Sequence, residues 1–113
     1  MVPKRMGEQP VDLELWIGLV ELRPLDRKTF GAAGAFTNIV TWGQSADGFR
    51  TKAELVAQIV NMFVAGVERA EPLAERKEKW TLTEEVEDII RRAESNPDAI
   101  IFGTFHTYRH DEA

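Results

Sequence analysis

Residues 13–22 read Leu-Glu-Leu-Trp-Ile-Gly-Leu-Val-Glu-Leu. As an extended strand they place Leu13, Leu15, Ile17 and Leu19 on one face and Trp16, Gly18, Val20 and Leu22 on the other. Such a strand is apolar on both sides, so both faces need cover, and no other feature of the chain constrains the fold as strongly. The remaining sequence predicts two helices, enough for one layer. The second face is then expected to meet a partner subunit, another protein or a ligand.

At 113 residues the chain matches one domain, large enough to bury roughly two-thirds of the surface its unfolded form exposes. With 43% apolar and 29% charged residues, the composition is that of a globular protein rather than a disordered one. The absence of cysteine excludes disulfides, thiolate metal sites and a cysteine nucleophile, and fits a reducing compartment, so a cytoplasmic location is expected. Lys4 and Arg5 near the start are followed by no apolar segment of signal-peptide type, and no run approaches the ~20 apolar residues of a membrane span. Neither export nor membrane insertion is expected.

A formal net charge of −5 repels phosphate backbones, so nucleic acid is not an expected partner. Much of the excess lies in residues 83–98, where Glu84, Glu85, Glu87, Asp88, Glu94 and Asp98 face only Arg91 and Arg92. Acids in a first helical turn complement the helix dipole, and Glu87–Arg91 and Asp88–Arg92 are i,i+4 pairs in the favourable order. This reads as a solvated helix face rather than an acidic docking site.

Residues 1–10 lack periodicity and read as a loose arm, residues 11–110 as one α+β domain, and residues 111–113 as a polar tail. The predicted elements are strands over 12–23 and 34–42, a helix started by the Ser45-Ala46-Asp47-Gly48 cluster, and a strand over 64–73. A second helix opened by Thr81-Leu82-Thr83-Glu84 and a last strand over 99–109 follow. Phe49, Ala53, Val56, Ile59, Val60 and Phe63 give the first helix its apolar stripe, and Val86, Ile89, Ile90 and Ala93 give the second theirs. Residues 74–79 are charged and aperiodic, and read as an exposed connection. The order ββαβαβ predicts a single four-stranded, mostly antiparallel sheet with both helices on one face, ferredoxin-like in style, provided each crossover is right-handed. The other face would be bare, and a symmetric homodimer is the expected cover.

A blunt hairpin between the first two strands pairs Trp16 with Trp42, Val20 with Asn38 and Leu22 with Phe36 on a shared face. Asn38 is the polar exception there and needs hydrogen-bond partners if buried. Trp16, Phe36 and Trp42 are therefore the expected interface residues, since desolvated aromatics dominate interface energetics.

The last strand carries the most chemistry. Thr104, His106, Tyr108 and His110 alternate onto one side after Ile100 and Phe102. In a cleft, His106 could act as general acid or base beside Tyr108, with Asn38 and Thr104 as further ligand-binding candidates. Thr, His and Tyr equally suit the wet face of a strand. His106 and His110 stand too far apart on a strand to share a metal, so neither metal nor cofactor is expected. Gly31-Ala32-Ala33-Gly34 precedes a strand rather than capping a helix and lacks a following Gly-Lys-Ser/Thr, so it is no phosphate loop. The sequence thus points to a non-catalytic, self-associating interaction domain, of the kind found in small regulatory, adaptor or immunity proteins. The alternative is a small-molecule binder or enzyme using His106.

Overall fold

The computed structural model describes residues 13–26 and 32–109. The expected arm and tail, and His110, lie outside the described residues. The elements are β1 (Glu14–Pro24), β2 (Gly34–Gly43), α1 (Ala46–Ile59), β3 (Met62–Pro72), α2 (Leu73–Lys79), α3 (Glu84–Glu94), β4 (Ile100–Phe102) and β5 (His106–Tyr108). The protein is α+β, with one antiparallel sheet in the order β3-β1-β2-β4 and β5 also paired to β2.

The expected last strand is thus two short ones on the same edge of β2. Ile39 pairs with Phe102 and Phe36 with His106, so four steps on one side match three on the other. The extra residue makes a bulge that breaks the ladder. Thr37 and Thr41, both fully buried in β2, fasten this edge: their hydroxyls donate to Gly103 O at 3.1 Å and Ala99 O at 2.8 Å.

The β1–β2 register differs by one residue from the blunt hairpin. Trp16 pairs with Thr41, Leu15 with Trp42, Leu19 with Asn38 and Leu22 with Ala35. A one-residue offset exchanges every side chain between faces. Trp16 and Trp42 therefore lie on opposite faces, and Asn38 leaves the side where it was the polar exception. The observed register matches apolar groups on both sides and gives the buried Thr37 and Thr41 hydroxyls their acceptors.

Each face of β1 has its own core. On one side Trp16, Val20, Leu22 and Ile39 pack with Phe49, Ala53 and Ala57 of α1 and with Met62 and Val64 of β3. On the other, Leu15, Ile17 and Val40 pack with Leu73 of α2 and Val86, Ile89, Ile90 and Ala93 of α3. The single helical layer expected from the sequence is thus replaced by layers on both faces. The reason is strand direction. β2 and β3 run parallel on either side of β1, so α1 is the crossover that the handedness rule governs. β3 and β4 run antiparallel, and that rule does not assign α2 and α3 to the α1 face.

Local chemistry explains the helix boundaries. Ser45 caps α1, its hydroxyl accepting from Gly48 N at 3.0 Å. The helix ends at Ile59, and Asn61, with φ 61°, turns the chain into β3. The apolar spacing runs on past this end, so Ile59 is 80% exposed and Phe63 belongs to a strand. The charged stretch expected as a connection is helical: α2 starts after Pro72, and Arg76 and Lys79 both donate to the Glu71 carboxylate, the latter at 2.6 Å. The cap of α3 is Thr83, accepting from Val86 N at 3.2 Å, two residues beyond the Thr81 of the expected capping box. Gly18 lets α1 sit close. A Cβ there would stand 2.8 Å from Cε1 and Cζ of Phe49.

Candidate functional site

The α2–α3 layer covers only part of its face. Leu15, Ile17, Val40 and Trp42 lie beneath it, but the same face continues with Glu21 and Arg23 on β1, Phe36 on β2, Phe63 on β3 and His106 and Tyr108 on β5. These side chains are half-buried or exposed, Phe63 at 45%. None of them belongs to the core that α2 and α3 pack on this face.

Their arrangement is specific. The Phe36 and Tyr108 rings meet with centroids 5.6 Å apart, inclined at 42°. Tyr108 donates its hydroxyl proton to Glu21 Oε2, and Arg23 Nε donates to the same oxygen at 3.2 Å. Gly34 makes room for the phenol: a Cβ there would lie 2.5 Å from its oxygen and 2.7 Å from Cζ. Burial, with the hydrogen bond to Glu21, pushes the Tyr108 pKa up, which keeps the phenol protonated as a donor. The hydrogen bond to Glu21 raises that of Arg23.

Beside this cluster the β4–β5 bulge is tied to α3. Glu85 Oε2 accepts from Thr104 N at 2.5 Å, and hydrogen bonding from Thr104 holds the carboxyl below its usual range, with a smaller contribution from nearby His106. Gly103 permits the approach, since a Cβ would sit 2.9 Å from that carboxylate oxygen.

The residues singled out from sequence are distributed as follows. Tyr108 and Phe36 are in contact. His106 lies on the same face but is exposed, and the hydroxyl of Tyr108 is directed to Glu21 instead. Thr104 is exposed, with its backbone N–H taken by Glu85. Asn38 is half-buried and its backbone carbonyl accepts from Gly103 N at 2.9 Å. Trp16 is inside the α1-side core, and Trp42 is packed against the opposite core with Nε1 donating to Ala93 O at 2.9 Å and Asn96 O at 3.1 Å. Both tryptophans are therefore used within the protomer. Sequence reasoning missed Glu21, Arg23, Phe63 and Glu85. A signal for the first two exists: the apolar odd positions of β1 turn charged at 21 and 23, where the helical cover ends.

Among the described residues no cluster of three or more His, Asp or Glu side chains is placed to hold a metal, and no helix is long and apolar enough to cross a membrane. No known family model, curated protein or solved structure matches the chain.

Proposed function

We propose that this protein is a small, non-catalytic cytoplasmic interaction domain that pairs with a second copy of itself through the uncovered part of the sheet. The observation that carries this reading is the Phe36–Tyr108 pair standing half-buried on a face sheathed elsewhere by helices, with Phe63 exposed across β1 from it. Aromatic residues and arginine are the side chains enriched in interface cores and hot spots. The patch also carries both charge signs, in Glu21 and Arg23. A two-fold pairing brings one patch against its own copy, so opposite charges can face each other. The class this reading fits is that of small regulatory, adaptor or immunity proteins that act as dimers.

Sedimentation velocity tests it. The wild type is expected to be dimeric at about 0.1 mM, where a micromolar interface is largely occupied, and Phe36→Glu to sediment as a monomer with an unchanged circular dichroism spectrum. A wild type that is monomeric at that concentration, or a Phe36→Glu protein that stays dimeric, would overturn the reading.

A further inference from the structure

A second site lies where the α2–α3 connection overhangs the sheet, in a cleft lined by Asn38, Arg69, Arg76, Trp80, Thr81 and Thr83 among others. Its chemistry runs against that of the whole protein. The chain is acidic overall, yet the charges gathered at this cleft are cationic. Glu71 is the acid that both Arg76 and Lys79 engage, so one negative charge is shared between two positive ones. Arg69 adds a third cation and pairs with no acid among the described residues.

Arg76 is held rigidly. Its side chain is only 13% exposed, Nε donates to Glu71, and Nη2 donates to Arg69 O at 2.8 Å. A guanidinium has five N–H donors, so part of its fork remains available to a planar oxyanion. The carbonyl it grips belongs to a residue in the left-handed region, Arg69 at φ 57°, and this contact fixes the strand irregularity that carries the second guanidinium. Trp80 stands at the rim, 58% exposed despite its size, with its backbone N–H donating to Arg76 O at 3.0 Å. The Thr81 and Thr83 hydroxyls and the Asn38 amide add neutral polar groups around the charged centre.

We infer that this cleft binds a small molecule in which a phosphate or carboxylate is joined to a flat ring, the anion held by Arg69 and Arg76 and the ring stacked on Trp80. The two arginines supply the charge and fork geometry for the oxyanion, and the exposed indole supplies a face for the ring. The site is separate from the Phe36–Tyr108 surface, and the inference does not rest on the dimer reading.

The test is titration of the full chain with adenosine monophosphate, with benzoate and with inorganic phosphate, following by NMR the indole N–H of Trp80 together with the backbone amides of Arg69, Arg76, Thr81 and Thr83, which also report on the variant that lacks the indole. At least one ring-bearing anion is expected to give a saturable shift at Trp80 and to bind about tenfold or more tightly than inorganic phosphate. Saturation by the nucleotide alone would assign a phosphate ligand, and by benzoate alone a carboxylate. Arg69→Gln and Trp80→Ala should each weaken binding by about tenfold or more, while Arg50→Ala, on the other side of the sheet, should leave it unchanged. The inference is overturned if neither ring-bearing anion gives a saturable shift up to about 10 mM, if inorganic phosphate binds as tightly as both, or if Trp80→Ala binds like the wild type.

Discussion

The two faces of β1 are treated differently. On the even face, every large side chain from Trp16 to Leu22 lies in the α1-side core. On the odd face, Leu15 and Ile17 lie under α2 and α3, whereas Glu21 and Arg23 lie beyond them. Lengths account for part of this. The eleven residues of β1 span about 36 Å, while the eleven of α3 span about 16 Å. A short helix cannot sheathe a long strand, so the strand changes character where the helix stops. An apolar stripe therefore records what covers it, residue by residue, and a strand apolar on two faces can be covered from two sides by its own chain.

The sharpest way to break this contrast is to empty one side. Phe49 is fully buried against the even face, so Phe49→Ala is expected to cost about 3–5 kcal/mol in urea unfolding. Phe36→Ala, on the uncovered part of the odd face, should cost about 1 kcal/mol, the scale of its ring contact. Equal losses would erase the distinction between the two regions. Gly18→Ala attacks the same core by overpacking, since its Cβ would lie 2.8 Å from the Phe49 ring. A loss of about 1–3 kcal/mol is expected, partly relieved in a Gly18→Ala, Phe49→Leu double variant.

The next effect concerns how the odd-face layer is fastened. Hydrogen bonds from Lys79 and Arg76 hold the Glu71 carboxyl below its ordinary value of 4.5. A depressed folded-state pKa gives stability that is present above the unfolded value and lost as pH falls through the folded one. Glu71→Gln should thus be destabilised by about 1–2 kcal/mol at neutral pH, and its deficit against the wild type should shrink as pH drops below 4.5. A deficit that is flat with pH would show that the ion pairs are not what fastens α2. A similarly small effect to that of Phe36→Ala is expected at the uncovered end, where Tyr108→Phe removes one hydrogen bond to Glu21 at a cost of about 0.5–1.5 kcal/mol.

Much of the fold was legible in the chain. The two-faced apolar strand, the Ser45 start of α1 and the stripe Val86, Ile89, Ile90 and Ala93 are all found where periodicity and capping place them. What misled was chemistry that periodicity does not encode. The apolar spacing at Ile59 and Phe63 continues across a helix end that Asn61 makes by its backbone conformation. Residues 74–79 have no apolar period, because what secures α2 is Leu73 and the cations on Glu71. The one-residue register offset was invisible because β1 is apolar on both faces, so either register buries comparable groups. Sequence reasoning singles out Phe36 and Tyr108, but it puts Phe36 on the face of Trp16 and does not join it to Tyr108, and the Glu21 that fixes the phenol is far away in sequence. The acids of the first turn of α3 fit a solvated helix face by pattern, whereas Glu85 ties down the β4–β5 bulge.

The claim on which the rest depends is that one polypeptide covers both faces of β1, with the odd-face helices its own rather than a partner's. Isotope-filtered NOE spectroscopy on a sample mixed from labelled and unlabelled protein tests it directly. The contacts of the Trp42 indole with Ala93 on the odd-face side, and of Gly18 with the Phe49 ring on the even-face side, should appear only within a labelled molecule. If the Trp42–Ala93 contact appeared between labelled and unlabelled molecules, the layer over the odd face would come from another copy, and the fold described above would be wrong.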